Sequence, residues 1–151
     1  MVWLAVCTKG VSQVVFLGNE SVTHKKCIDE VMPVAQKFGN QHFGKDLTFQ
    51  QDGATAHTAS PTQQWCKEHL PSFIQKKRWS SNSPDLNPLD YSVWNDIIQT
   101  IKWDNVKSKE TLKDQIQLAV KKIRHEVFLD SCTNLYTRVR RLAGNGGSYI
   151  R

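Results

Sequence analysis

Asp52 and Asp90 stand where a carboxylate can be held still. Asp52 closes the run Leu47-Thr48-Phe49-Gln50-Gln51 and leads into Gly53-Ala54, the pattern of a buried strand that ends in a turn. Asp90 follows Pro84-Asp85-Leu86-Asn87-Pro88-Leu89, where each proline removes a backbone donor and biases its predecessor toward extended geometry. A helix can therefore start only at or after Pro88, which puts Asp90 at its positive end, ahead of Val93, Trp94, Ile97, Ile98 and Ile101. Carboxylates gathered from different elements suit a hard cation such as magnesium, which prefers oxygen ligands and retained waters. Each acid also has a plainer reading: Asp52 as a turn residue, Asp90 as a first-turn acid complementing the helix dipole.

Other chemistry-bearing residues are open to more than one reading. His57 can orient a phosphate or a neighbouring acid, or be structural. Lys76, Lys77 and Arg78, with Trp79 after them, can grip a nucleic-acid backbone or form a solvated basic loop. Arg138, Arg140 and Arg141 crowd one helix and read as a solvated face, with a phosphate-contacting surface as the alternative. The cysteines, Cys7, Cys27, Cys66 and Cys132, have no close pairing and read as buried thiols of a reducing compartment. His24-x-x-Cys27 and Cys66-x-x-His69 have too short a histidine spacing for a usual zinc site and read as helix faces. Gly144-Asn145-Gly146-Gly147 lacks the strand and the Lys-Ser/Thr pair of a phosphate loop and reads as a helix terminus.

These residues need a scaffold, and 151 residues suffice for one domain with a real core. A formal charge of +6 favours a polyanionic partner modestly. The apolar run Val2 to Cys7 is too short for a signal peptide's core or a bilayer span, so the chain reads as intracellular, with no membrane partner. That run and Ser12 to Leu17 predict an antiparallel hairpin around Thr8-Lys9-Gly10. Thr23 to Phe38 has helical spacing, with Pro33 expected to kink or split it. Leu47 to Gln51 is the next strand, and Ser72-Phe73-Ile74 a brief edge strand. Between them Ser60-Pro61 starts a helix, as cap and first-turn proline, that stops before Pro71.

Downstream, Ser108 starts a helix with Leu112, Ile116, Val120, Ile123 and Val127 on one face. Asp130 or Ser131 is expected to cap a last helix bearing Leu135, Val139 and Leu142, while Trp65, Trp94 and Trp103 are expected in the core. Strands first, helices interleaved and a helical tail predict an α/β layered domain.

Two blocks narrow this picture. Gln50-Gln51-Asp52-Gly53-Ala54-Thr55-Ala56-His57-Thr58-Ala59, and then Trp79-Ser80-Ser81-Asn82-Ser83-Pro84-Asp85-Leu86-Asn87-Pro88-Leu89-Asp90-Tyr91, resemble the catalytic core of mariner/Tc-like DDE transposases. The gap of thirty-seven residues between the acids resembles the subgroup whose last acid is Asp. The resemblance extends from Met1 to about Tyr149, strongly in the two blocks and loosely elsewhere.

The resemblance implies a ribonuclease-H-like mixed sheet with flanking helices. A single partial catalytic domain would then run through 1–151, with sheet and catalytic core in 1–104 and a helical tail in 105–151. It implies Asp52 and Asp90 as catalytic metal ligands for Mg2+ or Mn2+ in a two-metal site. It also implies Lys76, Lys77 and Arg78 against DNA, transposon ends and target DNA as partners, a homodimer as in relatives, and a nuclear location. The family uses three acids. Its first lies on a central strand preceding the position of Val2 to Cys7, so the chain is expected to be truncated at its amino end, to lack that strand and the upstream helix-turn-helix region, and to be inactive. Among the remaining acids, Glu20 is the least unsuitable substitute, ahead of Asp29, Glu30 and Asp46; Asp85 reads as a turn or capping acid. Two alternatives stay open: a non-catalytic nucleic-acid-binding or interaction module derived from a transposase, and a small structural domain whose acids only cap and turn.

Overall fold

The computed structural model describes residues 1–80, 82–144 and 146. Its contacts gather into two units, Met1–Ala5 with Ser12–Ser83, and Val6–Val11 with Pro84–Arg151.

The expected hairpin forms as β1 (Val2–Trp3), β2 (Val6–Cys7), β3 (Gly10–Val11) and β4 (Val15–Phe16). Val2 pairs with Phe16 and Trp3 with Val15, whereas Val6 pairs with Val11, so Leu4-Ala5 faces the longer Ser12-Gln13-Val14. That extra residue is a β-bulge. Buried Ser12 repairs it: its backbone N–H donates to Ala5 O at 2.8 Å and its Oγ accepts the Ala5 N–H at 2.8 Å.

In the first unit Thr23 caps α1 (His24–Lys26), its Oγ1 accepting the Lys26 N–H at 3.3 Å. A π-helical turn over Cys27–Val31 then leads into α2 (Met32–Phe43). The break expected from Pro33 thus becomes a widened turn, because the proline can neither donate a helical bond nor tolerate the carbonyl one turn back. Cys27, Val31, Met32 and Leu17 pack with Leu47, Ala56, Cys66 and Leu70 in one core. Gly39 is needed there, since a Cβ on it would lie 2.6 Å from Leu47 Cδ2. Leu47 introduces β5 (Thr48–Phe49), which pairs in parallel with β6 (Ser72–Phe73), Phe49 opposite Phe73. Between the two strands lie α3 (Thr55–Thr58) and α4 (Ser60–His69). Ala59, not Ser60, caps α4, because the Ala59 carbonyl takes the first helical bond, from Gln63 N–H at 3.0 Å.

A continuous mixed sheet is not what the described residues show. Their strands form two-stranded ladders, β1 with β4, β2 with β3 and β5 with β6. No described strand hydrogen-bonds to the second edge of β1 or β5, so these ladders stay separate.

In the second unit a 3-10 turn over Pro84–Leu86 and a π-helical turn over Leu89–Val93 precede α5 (Trp94–Thr100). Trp103 starts a further 3-10 turn, Trp103–Asn105, and is 55% exposed. It is not a core residue; its indole N–H donates to Ile98 O at 3.3 Å. Ser108 caps α6 (Lys109–Lys122) as expected, in a reciprocal box with Thr111.

The single helical face through Val127 does not form. Ile123 is extended, a geometry that suits its β-branched side chain, and α7 (His125–Gly144) begins beyond it. Asp130 and Ser131 are therefore interior to α7 and cap nothing. Phe128 and Ser131 are buried on its inner face, whereas Val139 is 45% exposed. Gly144 ends α7 and Gly146 has φ +61°, a conformation glycine takes without strain; Asn145, Gly147 and Tyr149 lie outside the described residues. No helix among the described residues is long and apolar enough to cross a membrane.

Candidate active site

Asp52 lies just beyond β5 and is fixed from its own segment. Its Oδ1 accepts the Ala54 N–H at 2.9 Å, an Asx turn, and the His57 Nδ1–H at 2.6 Å. An ionised carboxylate only accepts, so the His57 proton sits on Nδ1. The His57 hydrogen bond holds the Asp52 carboxyl below its ordinary value of 3.8; partial burial opposes this, and the Ala54 N–H and the imidazole's charge assist it. Asp52 is thus ionised at neutral pH while its side chain remains 45% exposed.

His57 is held in turn. Its carbonyl accepts Gln51 Nε2 at 3.2 Å and Gln63 Nε2 at 3.0 Å. Gln63 Oε1 accepts the Lys76 N–H at 3.0 Å, and Lys76 Nζ donates to Thr58 O at 3.1 Å. Lys76 therefore joins Gln51, Asp52, Thr58, Gln63 and Trp79 around a small cleft. Lys77 and Arg78 are exposed on the turn after β6. Two polar atoms beside Asp52, Gln50 Nε2 and Gln51 Oε1, are buried without a hydrogen-bond partner in the described structure.

Asp90 is exposed in the π-helical turn, one residue after its start. Asn87 organises it: the Asn87 carbonyl accepts Asp90 N–H at 2.9 Å and Tyr91 N–H at 3.1 Å, Oδ1 accepts Leu89 N–H at 3.2 Å, and Nδ2 donates to Asp90 Oδ2 at 3.0 Å. Helix α7 then fastens the segment. The Tyr91 hydroxyl donates to Ser131 O, and Arg138 lies 4.0 Å over the Tyr91 ring while donating to Asp85 O at 3.2 Å. Ser131 Oγ is within hydrogen-bond distance of Ser92 Oγ, 2.8 Å, and Val127 O, 2.5 Å. Burial pushes the Tyr91 phenol up to about 12, with Arg138 opposing. Arg138 is thus an internal clamp and not part of a solvated face. Asp85 is buried at the start of the turn.

Asn87, Gln51 and Gln63 were not singled out in the sequence. Asn87 carries a readable signal, being a capping-type residue directly before a first-turn proline; the glutamines carry none. Glu20, Asp29, Glu30 and Asp46 are exposed, and the described residues contain no group of three or more metal-ligating side chains. Cys27 and Cys66 are core residues whose thiols burial pushes up to about 12 and about 11. Cys7 and Cys132 are half-buried, so the reading of four buried thiols holds for two.

Comparison with known proteins bears on both segments. No protein-family model matches the chain. Over 107 residues it is 26% identical to the transposable element Tc3 transposase of Caenorhabditis elegans, covering 70% of this chain and 30% of that protein. Its fold is that of the Mos1 transposase catalytic domain, solved with raltegravir and manganese: TM-score 0.81 at 17% identity, over 100% of this chain and 82% of that one. A Mos1 paired-end complex with the left transposon end matches at TM-score 0.82 and 18% identity, over 99% of this chain and 44% of that one. The fold is therefore ribonuclease-H-like, and sequence and fold together relate the chain to mariner/Tc-like transposases. The chain spans about a third of the length of the curated relative it matches.

Proposed function

We propose, from this relationship to mariner/Tc-like transposases, that residues 1–151 are a DNA-processing catalytic domain in which Asp52 and Asp90 are metal ligands. The observation that carries the reading is the Asp52 carboxylate: ionised, anchored by one oxygen at a strand end and still open to solvent. Such a group suits Mg2+ or Mn2+, which takes oxygen ligands while keeping waters. Asp90 is exposed and oriented by Asn87, as a ligand from a second element would need to be. When bound, the ions supply activation of an attacking oxygen and charge neutralisation at the leaving oxygen of a phosphodiester. The chain's own part is to hold the carboxylates, through His57 and Ala54 on one side and Asn87 on the other.

The family resemblance implies a first acid on a central strand between those matching β1 and β5. Among the described residues no strand pairs with the second edge of β1 or of β5, which is compatible with that place in the sheet. With two acids of three, the 151-residue chain is expected to bind the metal and lack turnover. DNA is the expected partner, copies of the chain are expected to pair, and the nucleus is the expected compartment. A Mn2+ titration followed by NMR line broadening tests the metal site: broadening centred on Asp52 and Asp90, lost in Asp52→Asn and Asp90→Asn, supports it, and its absence overturns it. Magnesium-dependent nicking of supercoiled plasmid that disappears in Asp52→Asn would overturn inactivity.

Exposed Lys77 and Arg78 favour a second reading, a DNA-binding module without chemistry. It requires DNA retention unaffected by Asp52→Asn, with a double-logarithmic salt slope of about −0.9 per phosphate contacted. Failure to retain DNA at low salt removes it.

A further inference from the structure

Asp52 Oδ1 accepts two hydrogen bonds, one from the Ala54 backbone and one from the His57 side chain. We propose that His57 is a positioning residue for Asp52: by occupying Oδ1 together with the Ala54 N–H, it reserves Oδ2 for a divalent cation and fixes the carboxylate's rotation. The inference rests on the metal-ligand reading of Asp52 above and assigns a role to a residue which that reading leaves open.

The geometry carries it. The His57 Nδ1 to Asp52 Oδ1 contact is 2.6 Å, a little under the ~2.7–2.9 Å usual for a charge-assisted N–H···O bond, and among the described residues the carboxylate's other hydrogen bond is from the Ala54 N–H at 2.9 Å. Both of these bonds go to Oδ1, and among the described residues none goes to Oδ2, on a side chain that lines the cleft. The imidazole is 14% exposed, far less than the carboxylate it serves, so it is packed while its target stays accessible. Its backbone is fixed as well, because Gln51 and Gln63 donate to the same carbonyl. The arrangement matches a general feature of metal sites, where a partner outside the ligand shell orients a ligand and its loss typically weakens binding by about 10–100-fold.

The test uses the 151-residue chain and Mn2+ alone, read by NMR line broadening and calorimetric affinity. His57→Phe keeps the ring's bulk and removes the hydrogen bond; His57→Asn places an amide N–H near the position of Nδ1. A thermal melt without metal establishes that each variant is folded. The expected result is a loss of Mn2+ affinity of about tenfold or more in His57→Phe, with His57→Asn close to the unsubstituted chain. Unchanged affinity in folded His57→Phe overturns the proposal, as does equal loss in both variants, which would mark the ring as packing only. Absence of Mn2+ binding in the unsubstituted chain removes the metal-ligand reading itself and this proposal with it, whereas the variant results alone leave that reading standing.

Discussion

Asp52 takes its fixed hydrogen bonds from Ala54 and His57, two and five residues along the chain, whereas the turn carrying Asp90 is gripped from α7, with Tyr91 bonded to Ser131 forty residues away. The first arrangement is preorganised locally and needs only that β5 end where it does. The second depends on a distant helix being docked. Loss of tertiary packing in the second unit should therefore disturb the Asp90 turn, while a loop-scale change suffices to misdirect Asp52.

The largest expected effect breaks the long-range side of this contrast. Arg138→Ala removes a cation–π contact and a charged donor to the Asp85 carbonyl, and should cost about 2 kcal/mol in urea unfolding. Amide exchange should accelerate through 84–93 while 52–58 stays protected; uniform acceleration would erase the distinction.

On the other side, Gly39→Ala forces a methyl against Leu47 and should cost about 1–2 kcal/mol by overpacking, since the clash reaches Leu47 Cγ as well as its methyls. Its spectral changes should concentrate along β5 and at Asp52. A neutral substitution would mean that Leu47 repacks freely and β5 is not braced by α2.

Tyr91→Phe deletes only the hydroxyl bond to Ser131 and leaves the ring under Arg138, so the expected loss is about 1 kcal/mol. A cost equal to that of Arg138→Ala would make the hydroxyl, and not the guanidinium, the principal clamp.

The smallest effect is that of Asp52→Asn, below about 1 kcal/mol at neutral pH because the pair is partly solvated. Its pH dependence has a definite sign. The folded-state pKa of Asp52 is depressed, so its contribution is present above the ordinary value of 3.8 and disappears as pH falls through the lower folded value. Thermal melts should thus show the difference between the two chains shrinking toward strongly acid pH. A difference that grows on acidification would mean that the carboxylate is not stabilised by His57.

Much of the local order could be read before any coordinates. The proline brackets announced where the Asp90 helix begins, Ser108 announced the cap of α6, and the apolar run before Asp52 announced β5, which ends earlier than expected, at Phe49. Errors came where neighbours along the chain were silent: Ser131 looked like a cap and is an interior contact of α7, and Arg138 looked solvated and clamps Tyr91.

What the residues determine unaided is thus the pair of acids and their immediate frames, because prolines, caps and Asx turns act through sterics and hydrogen bonds spanning a few residues. Tertiary structure alone decided that α7 closes on the Asp90 turn and that the described strands stop at separate ladders. Those outcomes depend on which surfaces pack together. A pattern of side-chain types along the chain constrains what can be buried, but the partner across a core is selected only when the whole fold competes for the same space.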